Sequence, residues 1–326
     1  MKLIIIGASG HWNIAADAAA RDSSIEIAAV APGCPGEDIS ALREAAPNAA
    51  VYENWRELVQ NERADAAIVN PWFALAADVT VECLGRGMDV YSEKPLATTH
   101  EQLARVENAW RSSGCALGGM FNYRHAPWFL AMEQAVLQGE IGEIRQIHAQ
   151  KSYRMGERPD FYRHRDTFGG LIPWVAVHAI DWVCAFGGDC RWVCASHTRR
   201  ENRGHGEMEV SSGILMGMEQ ERIATVTADY FRPDASARHD DDRLRLTGTQ
   251  GMLEARDGRV YLENHRQRRE LALPPGESAF QKFWEAACSG QAREMGRRAL
   301  YATRVALAAR DSADADGARQ WVEREK

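Results

Sequence analysis

Three groups of residues in this 326-residue chain have the types needed to move a proton or hold an anion. The first is Glu93-Lys94-Pro95. A lysine just beyond a strand of a parallel sheet, in a poorly hydrated place, has its pKa drawn toward the range useful for proton transfer. At an ordinary turn the same triplet is a solvated ion pair. The second is His178, with Asp181 one turn further along an apolar helical stretch. Such a histidine is either a general acid–base group or one satisfied inside its own helix. The third is Gly7-Ala8-Ser9-Gly10-His11-Trp12, between an apolar run and a helix. A glycine turn there aims backbone N–H groups and a helix dipole at a pyrophosphate. Gly7 fits the first position of G-x-G-x-x-G, while Ser9 and Trp12 replace the second and third glycines.

A strand gripping the adenosine ribose of NAD ends in Asp or Glu. Here the second strand ends Val30-Ala31-Pro32-Gly33, with no acid until Glu37-Asp38 and no arginine close behind. The pattern therefore admits NAD or NADP, and the lack of a basic residue favours NAD. Asn70, Pro71 and Trp72 follow another strand and are placed to cover the cofactor. Tyr123 and Arg124 follow the sixth strand; Arg124 is either a substrate anchor or an interdomain ion pair. Tyr153 lies at the end of a long strand. The run His239-Asp240-Asp241-Asp242 invites a metal, but strand alternation sends neighbours to opposite faces, so no metal site is expected.

These residues need a scaffold. Short apolar runs at Leu3–Ile6, Ile25–Ala31, Ala50–Tyr52, Ala66–Asn70, Val90–Ser92 and Ala116–Phe121 read as strands buried on both faces. Amphipathic stretches at Ile14–Arg21, Ile39–Ala46, Trp55–Glu62, Ala74–Arg86 and His100–Ser113 alternate with them, as a parallel sheet with crossover helices requires. Thr99 and Gln102 read as a capping box. Beyond residue 122 a helix, Trp128–Gln138, precedes long β-like runs at Ile144–Tyr153, Arg191–Arg199, Val210–Met218, Arg222–Phe231, Arg243–Gly248 and Gly258–Glu263. Helices are expected at Val175–Phe186, Ala279–Ser289 and Arg293–Ala313. The expected fold is α/β followed by α+β: a doubly wound Rossmann domain over 1–122, then a domain over 123–326 with a large, mostly antiparallel open sheet.

Net charge is 39 − 46 = −7, which argues against nucleic acid as a partner. The apolar runs read as too short to span a bilayer, and the N-terminus as a first strand with no secretory signal; a cytoplasmic protein is expected. The seven cysteines are odd in number and lack a Cys-x-x-Cys, so reduced, mostly buried thiols are expected.

The glycine turn, Glu93-Lys94-Pro95, Gly139-Glu140-Ile141-Gly142, Gly169-Gly170 and His178-Ala179-Ile180-Asp181 occur in an order and spacing that resemble the glucose–fructose oxidoreductase / inositol dehydrogenase / MocA (Gfo/Idh/MocA) family over essentially the whole chain. The resemblance implies NAD or NADP and a sugar-, polyol- or cyclitol-like substrate. It places Lys94 at the substrate, often before a cis proline bond, Glu93 at the nicotinamide pocket, and His178 as the catalytic histidine. Two positions depart from it. Trp174 stands four residues before His178, where many members carry an Asp, and Leu75 replaces a histidine near the cofactor. Trp174 cannot accept a proton but can stack on a sugar. The implied function is hydride transfer to or from a carbinol carbon, with Lys94 and His178 handling the proton and Asp181 orienting substrate or supporting its helix. The departures leave open a non-catalytic binder of NAD or sugar, and a lyase or hydrolase that borrows and returns a hydride. The open sheet implies a homodimer or homotetramer packed through it.

Overall fold

The computed structural model describes residues 1–323. Its backbone forms two compact units. One comprises Met1–Met120, Asp166–Gly169 and Ser278–Thr303; the other comprises Phe121–Arg165, Gly170–Glu277 and the residues from Arg304 on.

The first unit alternates strands and helices: β1 (Lys2–Ile6), α1 (Asn13–Arg21), β2 (Glu26–Ala31), α2 (Ser40–Ala45), β3 (Ala50–Val51), α3 (Trp55–Asn61), β4 (Ala66–Val69), α4 (Ala76–Gly85), β5 (Asp89–Ser92), α5 (His100–Ser113) and β6 (Leu117–Gly119). The strands form one parallel sheet in the order β3-β2-β1-β4-β5-β6. Leu3–Ile6 and Ala66–Val69 are fully buried, as strands covered on both faces must be. The order reverses between β1 and β4, and ligands of such sheets sit at the carboxyl ends of the strands around that point. Residues 7–12, 32–37, 70–72 and 93–95 all follow strands there. Thr99 Oγ1 accepts the Gln102 N–H at 3.1 Å, but the Gln102 amide turns elsewhere, to Thr98 and the Ala74 carbonyl, so only half of the expected capping box forms. The helix Ala279–Cys288, late in sequence, belongs to this unit: Phe280 and Phe283 pack on Tyr91 of β5, with ring centroids 5.7 and 5.0 Å away.

The second unit carries α6 (Pro127–Leu137), β7 (Ile144–Arg154), α7 (Val177–Gly187), β8 (Cys190–Thr198), β9 (Ser211–Met218), β10 (Ile223–Arg232), β11 (Arg243–Gly248), β12 (Gly251–Arg256), β13 (Arg259–Asn264), β14 (Arg268–Glu270) and β15 (Gln320–Trp321). Its nine strands run β14-β13-β12-β11-β7-β10-β9-β8-β15, antiparallel except for the parallel pair β10–β7. The sequence pattern omits the very short β14 and β15, and also β12, although Leu253 and Ala255 alternate there with Glu254 and Arg256. Along β7, Ile147, Ala149 and Lys151 are buried while Gln146, His148 and Gln150 alternate toward the other, more exposed face. A π-helical turn, Ile172–Ala176, precedes α7, which therefore starts two residues later than its apolar periodicity suggests.

Contrary to the expectation from run lengths, the stretch Arg165–Gly187 is long and apolar enough to cross a membrane, but 89% of its most apolar window is buried in the fold. All seven cysteines are free thiols; three are buried, three half-buried and Cys288 exposed, fewer buried than expected.

Candidate active site

The turn after β1 is shaped by close backbone approach. Gly7 and Gly10 have φ of +85° and +100°. A Cβ on Gly7 would lie 2.2 Å from the Asn70 carbonyl oxygen, and one on Gly10 would lie 2.1 Å from Glu93 Oε2. Only glycine fits either place. Ser9 N–H donates to Asn70 O at 2.9 Å, which locks the turn to the end of β4. Trp12, at the third glycine position, packs against the apolar core.

Two carboxylates occupy the donors of this turn. Glu37 Oε1 accepts the Ala8 N–H at 3.0 Å and the Ser9 hydroxyl at 2.8 Å, while Oε2 accepts the Gly33 N–H at 2.7 Å. Glu93 Oε2 accepts the His11 N–H at 2.7 Å and lies 2.7 Å from His11 Nδ1. No side chain of α1 caps its own N-terminus, so Glu93 serves the positive end of that helix. The other Glu93 oxygen accepts the Lys94 N–H at 2.9 Å and stands 4.0 Å from Lys94 Nζ. Burial alone would raise the Glu93 carboxyl; His11 and Lys94 hold it below its ordinary value. Glu93 and Lys94 are both almost completely buried, and the Lys94–Pro95 bond is cis. Asn70 is fully buried; its Nδ2 reaches Ser9 O at 3.4 Å, and its Oδ1 has no hydrogen-bond partner among the described residues. Pro71 packs beneath Gly33, and Trp72 is half-buried beside it in sequence.

A dinucleotide fits these residues. A pyrophosphate at this turn would take the Ala8 N–H and the Ser9 hydroxyl from Glu37, and Asn70 Oδ1 is an acceptor for a ribose hydroxyl.

In the second unit, His178 is the second residue of α7 and is almost fully buried. The rings of Tyr123 and Phe121 stand edge-on to its imidazole at 5.2 and 6.0 Å. Arg124 forks onto Asp181: Nε donates to Oδ2 at 2.7 Å and Nη2 to Oδ1 at 2.6 Å and to the Asp181 carbonyl at 3.0 Å. Both residues lie in this unit, so the pair is neither interdomain nor open to solvent. Trp174 sits buried in the π-helical turn, edge-on to Tyr162 at 6.4 Å. Tyr153 stacks on His239 at 4.8 Å.

Sequence reasoning missed Lys151 and gave Glu37 and Asp242 no role beside the residues they meet. Glu37 folds back from the loop after β2 onto the glycine turn. Lys151 is fully buried on β7, its ammonium 3.6 Å from the Tyr123 ring centre and hydrogen-bonded to Asp242. Burial pulls the Lys151 amine down to about 8 against the attraction of Asp242. Burial likewise lifts the Asp242 carboxyl to about 6 against Lys151. A signal existed: Lys151 falls on the inward face of an alternating strand. The aspartates near His239 lie before β11 and not in a strand, and they go to different partners, Asp241 to Arg243 and Asp242 to Lys151. Among the described residues no cluster of His, Cys, Asp or Glu is arranged to hold a metal ion.

A doubly wound unit with a glycine turn after β1 and a buried lysine beyond β5, joined in one chain to a mixed-sheet unit with a buried histidine, defines an NAD-binding oxidoreductase. The chain belongs to the Gfo/Idh/MocA family. The pattern described as "Oxidoreductase family, NAD-binding Rossmann fold" matches residues 1–134, and that of the GFO/IDH/MocA C-terminal domain matches residues 129–254. A solved structure from Thermotoga maritima is 36% identical, with a TM-score of 0.94 over 99% of this chain and 100% of that one. A 1,5-anhydro-D-fructose reductase from Ensifer adhaerens is 28% identical over 282 residues, 77% of this chain and 80% of its own. Levoglucosan dehydrogenase with NADH and levoglucosan shares the fold at 16% identity, with a TM-score of 0.83 over 99% of this chain and 100% of that one.

Proposed function

We propose that the protein is an NAD-dependent dehydrogenase or reductase acting on a secondary hydroxyl, or its carbonyl, in a sugar, polyol or cyclitol. The observation that carries this reading is the single carboxylate of Glu93, which joins the helix N-terminus behind the glycine turn to the backbone of Lys94. The lysine is thereby built into the cofactor cradle. Bound nicotinamide supplies the hydride acceptor or donor. Lys94 takes up or gives back the hydroxyl proton, and His178 hydrogen-bonds the reacting oxygen. Glu37 is the ribose acid: a carboxylate beside the Ala8 N–H suits a ribose diol and repels a 2′-phosphate, which favours NAD over NADP. Tyr123, Tyr153 and Trp174 offer aromatic faces and hydroxyls to a sugar. Turnover followed at 340 nm with NAD and a panel of polyols, sugars and sugar acids tests the reading. Binding of NAD and of a sugar with no absorbance change across the panel would instead favour a non-catalytic sensor, which Trp174 in the acid's position supports.

The outer face of the nine-stranded sheet exposes Leu215, Ile223 and Phe231. In this reading a second copy covers it, giving a homodimer or homotetramer. A monomeric mass in light scattering at micromolar concentration would overturn that assembly.

A further inference from the structure

The Lys151–Asp242 pair poses a physical problem that the proposed chemistry leaves unused. A buried ion pair stabilises little, because desolvation offsets its Coulomb attraction unless every donor and acceptor is matched. Arg124–Asp181 meets that condition with three hydrogen bonds. Lys151–Asp242 does not. Asp242 Oδ1 is buried with no partner among the described residues. The ammonium has one carboxylate and otherwise faces rings: Tyr123 at 3.6 Å, Tyr153 at 4.9 Å and Trp182 at 5.2 Å. Two apolar side chains would fill this space with less penalty.

The arrangement reaches the candidate histidine. Tyr123 presents its face to Lys151 and stands edge-on to both His178 at 5.2 Å and Trp182 at 5.5 Å. A cation on a ring face is attracted to it, more strongly when both are desolvated. The charge on Lys151 therefore fixes the Tyr123 ring, and the ring fixes the imidazole.

We propose that Lys151, held by Asp242, is a positioning residue for His178, acting through the face of Tyr123. This rests on the proposed role of His178 in proton transfer. Lys151 is fully buried and touches no reactant in this scheme. The charged and titratable groups facing it are Asp242, Asp240, His239 and Arg238 from the segment before β11, Tyr123, and Tyr153 of its own strand, on which His239 stacks. With the amine drawn down to about 8 and the Asp242 carboxyl lifted to about 6, the charged pair persists between those values. The two groups titrate as one coupled system. Above about 8 the ammonium is lost and its grip on Tyr123 goes with it.

The experiment is a pH titration of the His178 ring by NMR on the full chain with labelled histidine, assigned with His178→Gln, beside the pH profile of kcat. Wild type should show a second inflection near 8 in the His178 signal, distinct from the imidazole's own, and kcat should fall tenfold or more across it. In the near-isosteric Asp242→Asn, which removes the attraction that keeps Lys151 protonated, both should move down by a pH unit or more. In Lys151→Arg, whose guanidinium does not titrate, both should vanish. A His178 signal indifferent to Asp242→Asn would overturn the proposal, whatever the turnover. An inflection that responds as stated, in an enzyme that turns over no polyol, would overturn the functional reading and leave the coupling of Lys151 to His178 standing.

Discussion

In the first unit the carboxylates of half-buried Glu37 and buried Glu93 accept backbone N–H groups; in the second, Asp181 and Asp242 are held by the cations Arg124 and Lys151. The difference concerns exchange. If Glu37 swings away, the Ala8 and Gly33 N–H groups remain aimed at the same space, ready for a hydroxyl or a phosphate. If Asp181 or Asp242 leaves, a desolvated cation stays behind at a cost of several kcal/mol. The first arrangement suits a place where a ligand's polar groups come and go. The second suits a fixed frame behind a reacting group.

The largest break in this comparison is expected at the point where the first unit does chemistry. Lys94→Ala should lower kcat by about 10²–10⁴-fold while leaving the Kd for NAD within severalfold of wild type; an unchanged kcat would remove the lysine from the mechanism. Next comes the frame. Arg124→Met leaves Asp181 charged and buried and should cost about 3–5 kcal/mol, read as a fall in Tm on the order of 10 °C. Glu37→Gln, by contrast, keeps an acceptor beside the same N–H groups and should move Tm far less. Its effect belongs to the ligand: Glu37→Gln should narrow the preference for NAD over NADP by about tenfold, roughly 1.4 kcal/mol, and Glu37→Arg should narrow it further, measured by fluorescence titration of each reduced cofactor. A preference unmoved by either change would show that the ribose lies elsewhere. The smallest effect is in acid. The Glu93 carboxyl is held below its ordinary value of 4.5. Its stabilising contribution is therefore complete above that value and lost as pH falls through the lowered one. Glu93→Gln should flatten the fall of Tm below about pH 4.5.

Much of this frame could be read from residue order, because its signals are local. Leu3–Ile6 runs into Gly7, and Ala66–Val69 into Asn70, so strand, turn and site share one stretch of chain. Glu37 escaped because no periodicity says that a loop six residues past a strand folds back on another strand's turn. Lys151 and Asp242 meet across the β7–β11 register, which is a tertiary fact. The inward position of Lys151 was nonetheless visible in the alternation Ile147, Ala149, Lys151. Arg124 and Asp181 were each singled out as facing a ligand; that they face each other depends on where α7 packs. The helix Ala279–Cys288 reads as part of the second half from its position alone, and only the packing of Phe280 and Phe283 on Tyr91 assigns it to the first.

That late helix bears on how the protein is made. Strands β1–β6 are synthesised before the helix Ala279–Cys288 and carry every residue of the glycine turn and of Glu93-Lys94-Pro95, yet the aromatic surface of Tyr91 waits for Phe280 and Phe283 much further along the chain. Burying each is worth roughly 1.5–3 kcal/mol, a large part of what holds a domain folded. A fragment cut at Met120 would thus contain the whole cofactor cradle without the means to keep it closed.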